Sequence, residues 1–188
     1  MERIEFKLYS LMIALIFSVC ATTAVAGSTE EDRKEYMLMK NKTLADLYKA
    51  KPEAKDKIEK APGYAVFSSA NINLIFASLG GGYGVVQPKG VEPVYMRMAE
   101  VGMGFGLGVK DFRSIFIFHD KKTMNEFIES GWEFGAQADA AAKTSDKGAA
   151  IGAEIMIDGI TIYQLTEAGL ALQATVKGTK FWKNDKLN

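Results

Sequence analysis

Glycine occupies every second position from residue 102 to 108, where Gly102, Gly104, Gly106 and Gly108 alternate with Met103, Phe105 and Leu107. In a helix each of these glycines would cost about 1 kcal/mol relative to alanine, so a helix is excluded. In a strand, alternate side chains point to opposite faces. One face then carries Met103, Phe105, Leu107 and Val109, and the other is bare backbone. Glycine also weakens a strand, through entropy and lost packing, so four in register need compensation. Either a neighbouring element approaches closely as the sheet bends and closes, or the bare face is a smooth floor for an acyl chain or ring. Sheet closure is the commoner use and is the expectation here. A second cluster, Gly80, Gly81, Gly82 and Gly84, lies upstream, so half of the chain's 18 glycines fall between Gly80 and Gly108.

Neither cluster cradles a nucleotide. Leu79-Gly80-Gly81-Gly82-Tyr83-Gly84 lacks the Gly-Lys-Ser/Thr and helix that a phosphate loop needs. The alternation at 102–108 has the wrong spacing for a dinucleotide fold and runs into a strand instead of a helix. Lys plus Arg and Asp plus Glu both number 23, for zero net charge, which argues against nucleic-acid binding through bulk positive charge. One Cys and one His leave little material for disulfides, metal sites or His-based catalysis. With 48% hydrophobic and 24% charged residues, the chain can build a core and is not a disordered tail.

Residues 1–26 read as an export signal. Arg3 and Lys7 precede an apolar run from Leu8 to Val19, and Ala24-Val25-Ala26 supplies the small-residue cleavage pattern. A retained anchor and a lipid-modified Cys20 are the weaker alternatives, because Phe17-Ser18-Val19 suits a lipoprotein signal poorly. Cleavage after Ala26 removes the cysteine and sends the chain to the periplasm or cell envelope. Residues 27–188 are then expected to form one domain, with a helical region at 27–62 and a β-rich body at 63–188.

Leu44, Leu47, Tyr48, Ala54 and Ile58 recur at helical spacing within charged surroundings. Pro52 suits the first turn of a second helix, and Ala61-Pro62-Gly63 stops it. Strands are expected at Tyr64–Ser68, Ala77–Gln87, Val94–Val101, Met103–Lys110 and Phe112–Phe118. A helix follows over Lys121–Ser130, capped by Asp120 and ended by Gly131, with Met124, Phe127 and Ile128 on one face. Further strands are expected at Trp132–Ala142, Ala149–Ile157, Ile160–Thr166 and Ala168–Lys177, with Asp158-Gly159 as a hairpin turn. The fold class is α+β: N-terminal helices, then a curled antiparallel sheet or barrel with one inserted helix.

Several runs together resemble the SYLF domain family, also called the Ysc84-like family. They are Leu79–Val86, Tyr95-Met96-Arg97-Met98-Ala99, Gly102–Gly108, Lys110-Asp111-Phe112-Arg113 and the closing Gly178-Thr179-Lys180-Phe181-Trp182, which is similar to exported bacterial members. The resemblance covers the chain from Leu44 onward. It implies a non-enzymatic, lipid-binding role at the cell envelope, with no cofactor. Some members engage membranes through an N-terminal amphipathic helix; here the basic residues of that region alternate with acids. The SH3 or FYVE modules of eukaryotic members are absent from this sequence, so an actin role has no support.

The candidate lipid-contacting residues are Arg97, Lys110 and Arg113, with Lys177, Lys180, Trp182 and Lys183 in the last stretch. A basic and aromatic mixture suits an anionic lipid surface; a solvated tail with Trp182 covering the end of the sheet is an equal alternative. No catalytic or metal-binding residues are assigned. His119 lacks a nucleophile elbow beside it and reads as a surface or capping residue. Glu100, Glu133, Asp139 and Glu154 read as solvated strand residues. The expected partner is phospholipid, with no nucleic acid or nucleotide. The rivals are a small outer-membrane barrel, a lipid hydrolase, and a structural or partner-binding envelope protein.

Overall fold

The computed structural model describes residues 28–75, 77–102, 106–134, 154–166, 169–170 and 178–188. The expected export signal, Gly104, and the expected strand portions at 135–142, 149–153 and 171–177 lie outside the described residues, as does the Glu167-Ala168 reversal.

Two helices come first: α1, residues 28–50, and α2, Glu53–Lys60. Pro52 sits at the N-cap of α2 with φ −56°, an angle its ring imposes and a helix accepts. Leu44, Leu47, Ala54 and Ile58 are buried, while the intervening Lys and Glu residues face water. The sequence therefore folds here as an amphipathic pair whose apolar stripe needs a sheet to cover.

That sheet is built from β1 (Gly63–Ile75), β2 (Ala77–Pro88), β3 (Val94–Gly102), β4 (Gly106–Phe118), β5 (Trp132–Phe134), β6 (Glu154–Ile157), β7 (Ile160–Thr166), β8 (Gly169–Leu170) and β9 (Gly178–Lys183). Its order is β5-β9-β3-β2-β1-β4-β7-β6, with β8 also against β7, and every pairing is antiparallel. Helix α3, Lys121–Ser130, is inserted after β4. The fold is thus α+β, with N-terminal helices and a curled antiparallel sheet carrying one inserted helix.

The alternation of each strand divides the core. On the outer face Val66, Ile115, Ile117, Tyr163 and Leu165 pack beneath α1 and α2. On the inner face Ala65, Phe67, Val86, Met96, Met98, Phe116 and Phe118 meet Met124, Phe127 and Ile128 of α3. Phe67, Phe116, Phe127 and Phe181 form one aromatic knot there, with Phe67 and Phe181 ring centroids 4.7 Å apart in edge contact, a geometry rings favour.

Local signals set the element ends. Asp120 accepts hydrogen bonds from the Thr123 backbone N–H and hydroxyl, each at 2.8 Å, at the start of α3. Gly131, at φ 68°, ends that helix. Asp158 and Gly159, at φ 49° and 76°, form the tight turn joining β6 to β7 that a right-twisted hairpin requires.

Three expectations need correction. Met103–Lys110 and Phe112–Phe118 are not two strands; Gly106–Phe118 is one, since Asp111 stands in an exposed strand position instead of breaking it. The described alternating glycines do not share a strand: Gly102 belongs to β3, and Gly106 and Gly108 to β4. The segment treated as a tail contains β9, which pairs with both β3 and β5. Its burial alternates: Thr179 and Phe181 are buried, Lys180 and Trp182 exposed.

Residues 184–188 then clasp α1 to β3. The Arg33 guanidinium donates twice to the Leu187 carbonyl, at 3.0 and 2.8 Å, and lies 5.9 Å from the Tyr95 ring centroid. The Asn188 side chain accepts from the Tyr95 N–H and donates to its carbonyl, at 2.9 and 2.8 Å. The Asn184 amide donates to the Tyr36 hydroxyl at 3.1 Å. Leu187 is buried with Tyr36, Val85 and Tyr95.

Candidate functional site

The glycines of β2 face close neighbours. At Gly84 an added Cβ would fall on the Phe67 ring and 2.5 Å from the Val66 carbonyl oxygen. At Gly82 it would strike the Ser68 carbonyl and come within 2.9 Å of the Ser69 Cα. At Gly80 it would overlap the Asn71 side chain. Gly81 points the other way, and its nearest heavy atom would be the Met98 carbonyl oxygen at 3.9 Å. The β2 glycines on the inner face thus make room for β1 itself as the sheet curls. Further along, Gly102 pairs with Ser78, Gly106 with Ile75 and Gly108 with Asn73.

Asn71 is fully buried, and neither atom of its amide has a hydrogen-bond partner. Leaving such a group unsatisfied costs about 1–3 kcal/mol. The residues flanking it on the outer face, Ala70 and Ile72, are exposed.

The candidate basic residues do not form one cluster. Arg97 on β3 and Arg113 on β4 are separated by β2 and β1 in the sheet order. Arg113 is engaged, with its guanidinium 2.6 Å from the Asp46 carboxylate of α1. Lys110 is paired in register with Asn71, and Lys177 lies outside the described residues. Lys183 reaches Glu129 of α3 at 2.9 Å. What does come together is Arg97, Lys180 and Trp182. Arg97 and Trp182 are register partners across β3 and β9. Lys180 is two residues from Trp182 and so on the same outer face. All three are exposed. Tyr83 is the register partner of Arg97 on its other side. Burial and a hydrogen bond to Glu35 at 2.9 Å hold its hydroxyl up at about 12.

Sequence reasoning missed an apolar row beyond this group. Ile72, Leu79 and Val101 are consecutive register partners on β1, β2 and β3, and they are 53%, 54% and 58% exposed. The signal was present in Ala70-Asn71-Ile72-Asn73-Leu74, where apolar and polar residues alternate.

Two further polar side chains make defined contacts. The His119 imidazole hydrogen-bonds the Thr161 hydroxyl at 2.8 Å. Burial pushes the Lys40 ammonium below its usual range; it donates to the Gln87 side-chain carbonyl at 3.1 Å. Among the described residues, no three His, Cys, Asp or Glu side chains gather as metal ligands, and no helix is long and apolar enough to cross a membrane.

Fold and surface together define an α+β protein with a curled antiparallel sheet, helices on both faces and a basic–aromatic strip on its outer side. No family model matches the chain. It is similar to Beta cell expansion factor A of Aeromonas veronii, 32% identical over 155 residues, or 82% of this chain. The chain spans 58% of the length of that curated relative.

Proposed function

We propose that this chain is a non-enzymatic lipid-binding protein of the bacterial envelope that associates peripherally with anionic phospholipid. The observation that carries the reading is the exposed Arg97–Trp182 pair with Lys180 beside it on the same face. Indole rings and cationic side chains belong at the headgroup level of a bilayer. Each cation near an anionic surface contributes about 1 kcal/mol, so the pair supplies weak, salt-sensitive attraction that screening suppresses. The resemblance of the glycine-rich runs to the SYLF family supports the same reading. Against a barrel exposed to lipid all round, α1 and α2 cover part of the outer face. Beta cell expansion, which the relative's name credits to that protein, is not proposed for this chain, which matches 58% of it.

The test is vesicle flotation of the full chain with anionic and zwitterionic phospholipid at low and high salt. Binding to anionic vesicles that weakens with salt is expected. Arg97→Gln should reduce the partition coefficient about fivefold, the equivalent of about 1 kcal/mol for one cation. Absence of binding to every vesicle refutes the proposal.

A further inference from the structure

We infer that the outer face of the sheet formed by β1, β2 and β3, beyond the reach of α1, inserts into the hydrocarbon of one bilayer leaflet through Ile72, Leu79 and Val101. The inference rests on the lipid-binding reading above and deepens it, naming the face that enters the lipid.

The carrying observation is a reversal of polarity along one strand. A sheet with one face in water puts apolar side chains inward and polar ones outward. The helix-covered part of β1 is apolar on both faces, with Val66 under α1 and α2 and Phe67 in the aromatic knot. Past Ser69 the order inverts. Asn71 is wholly buried on the inner side with its amide unpartnered, while Ala70 and Ile72 face outward and are exposed. Leu79 and Val101 extend the same exposed row across β2 and β3. Apolar outward and polar inward, on alternating residues, is the pattern of strands that meet lipid. A protein partner would also accept an apolar row, but it does not explain the buried Asn71 amide at the same level.

The flanking residues select the same occupant. Moving back along β3 from Val101, Ala99 intervenes with Lys180 beside it on β9, whose long stem lets its ammonium reach headgroup level, and Arg97 follows, beside Tyr83 on one strand and Trp182 on the other. Tyr83 is held under α1 by Glu35 and Tyr36, so the exposed members of this row are Trp182 and Arg97, a pairing that suits the level where strands leave the hydrocarbon for headgroups. The four steps from Arg97 to Val101 span about 13 Å at ~3.3 Å per residue. One leaflet of hydrocarbon is about 15 Å deep, half the ~30 Å core. The row therefore reaches into a leaflet without crossing it, and Arg97 stays at headgroup level where its charge complements anionic lipid.

The experiment uses the full chain and vesicles of mixed phosphatidylcholine and phosphatidylglycerol. The Ile72→Ser, Leu79→Ser variant alters exposed positions; circular dichroism verifies that it folds. Its partition coefficient should fall about tenfold per residue, about a hundredfold for the pair. A second, independent readout is a Cys20→Ser, Leu79→Cys chain carrying an environment-sensitive fluorophore. Its emission should shift to the blue on vesicles, and lipids brominated on their acyl chains should quench it. Wild-type flotation with an unaffected double variant and a label that stays in water overturns the inference while leaving peripheral lipid binding standing. If the double variant instead dissolves a dimer in sedimentation and leaves flotation unchanged, the row is a self-association surface and the inference is also overturned. A wild-type chain that floats with no vesicle refutes the underlying reading as well.

Discussion

Gly84→Ala should be among the most damaging single-methyl additions in the sheet. The new Cβ would land on the Phe67 ring, with the Val66 carbonyl oxygen only 2.5 Å away. Phe67 is 1% exposed. Its retreat is blocked by Phe181 at 4.7 Å and Phe116 at 5.7 Å between centroids. Overpacking a filled core costs about 1–3 kcal/mol. Because backbone as well as ring stands in the way, the expected loss is about 3 kcal/mol, at the upper end of that range. For a chain of this size that corresponds to a fall in Tm of roughly 6–12 °C. Gly81→Ala is the internal control, because its Cβ would meet its nearest heavy atom at 3.9 Å, on the exposed face; it should be neutral or stabilise by about 0.5 kcal/mol. Urea and thermal unfolding followed by circular dichroism measure both. Phe67→Leu in the Gly84→Ala background should recover part of the loss, appearing as a coupling energy in a double-mutant cycle. Equal stability of Gly84→Ala and Gly81→Ala, or a cycle with no coupling, would refute the claim that these glycines exist to admit β1.

The clasp at residues 184–188 makes Leu187→Ala costly: about 2–3 kcal/mol for a buried leucine in a small satellite cluster, read as a lower urea midpoint. Asn71→Ala should be milder than a typical core truncation, since it removes an unpartnered amide that itself costs about 1–3 kcal/mol. It should also rescue Gly80→Ala, whose Cβ collides with that side chain, as thermal melts of the single and double variants will show. Burial and the Glu35 carboxylate push the Tyr83 hydroxyl up to about 12, above the ~10 of a free tyrosine, so the stability linked to it is complete below pH ~10 and is lost as pH rises toward about 12. Tyr83→Phe should flatten that part of a stability–pH profile.

Short-range chemistry was legible in the sequence. Helix α3 announced itself through Asp120, through Met124, Phe127 and Ile128 on one face, and through Gly131. The β6–β7 turn did so through Asp158-Gly159, because capping and turn geometry depend on a few adjacent residues. Strand β9 was harder: Lys180, Trp182 and Lys183 resemble a solvated tail until the burial of Thr179 and Phe181 between them is seen. The proposed basic patch dissolved for the same reason. Only tertiary structure reveals that Arg113 is engaged by Asp46 and Lys183 by Glu129, and that Arg97 and Trp182 are register partners on the exposed face. The glycines were readable as a demand for close approach. The identity of the approaching groups, Phe67 and Asn71, depended on strand register.

Arg33 and Leu187 are 154 residues apart in the chain. Closing so long a span forfeits entropy that grows with its logarithm, and non-local pairings of this kind slow folding. Helix α1 is made early in synthesis, and Glu35 and Tyr36 can meet Tyr83 once β2 exists, yet Arg33 has no Leu187 carbonyl to hold until residues 184–188 have emerged. Strand β3 likewise waits for β9 before its free edge is covered. The clasp therefore acts in time as well as space: it makes the finished structure a late event, and a ribosome-bound or partly threaded chain stays open along the edge where an unpaired strand is most prone to find the wrong neighbour.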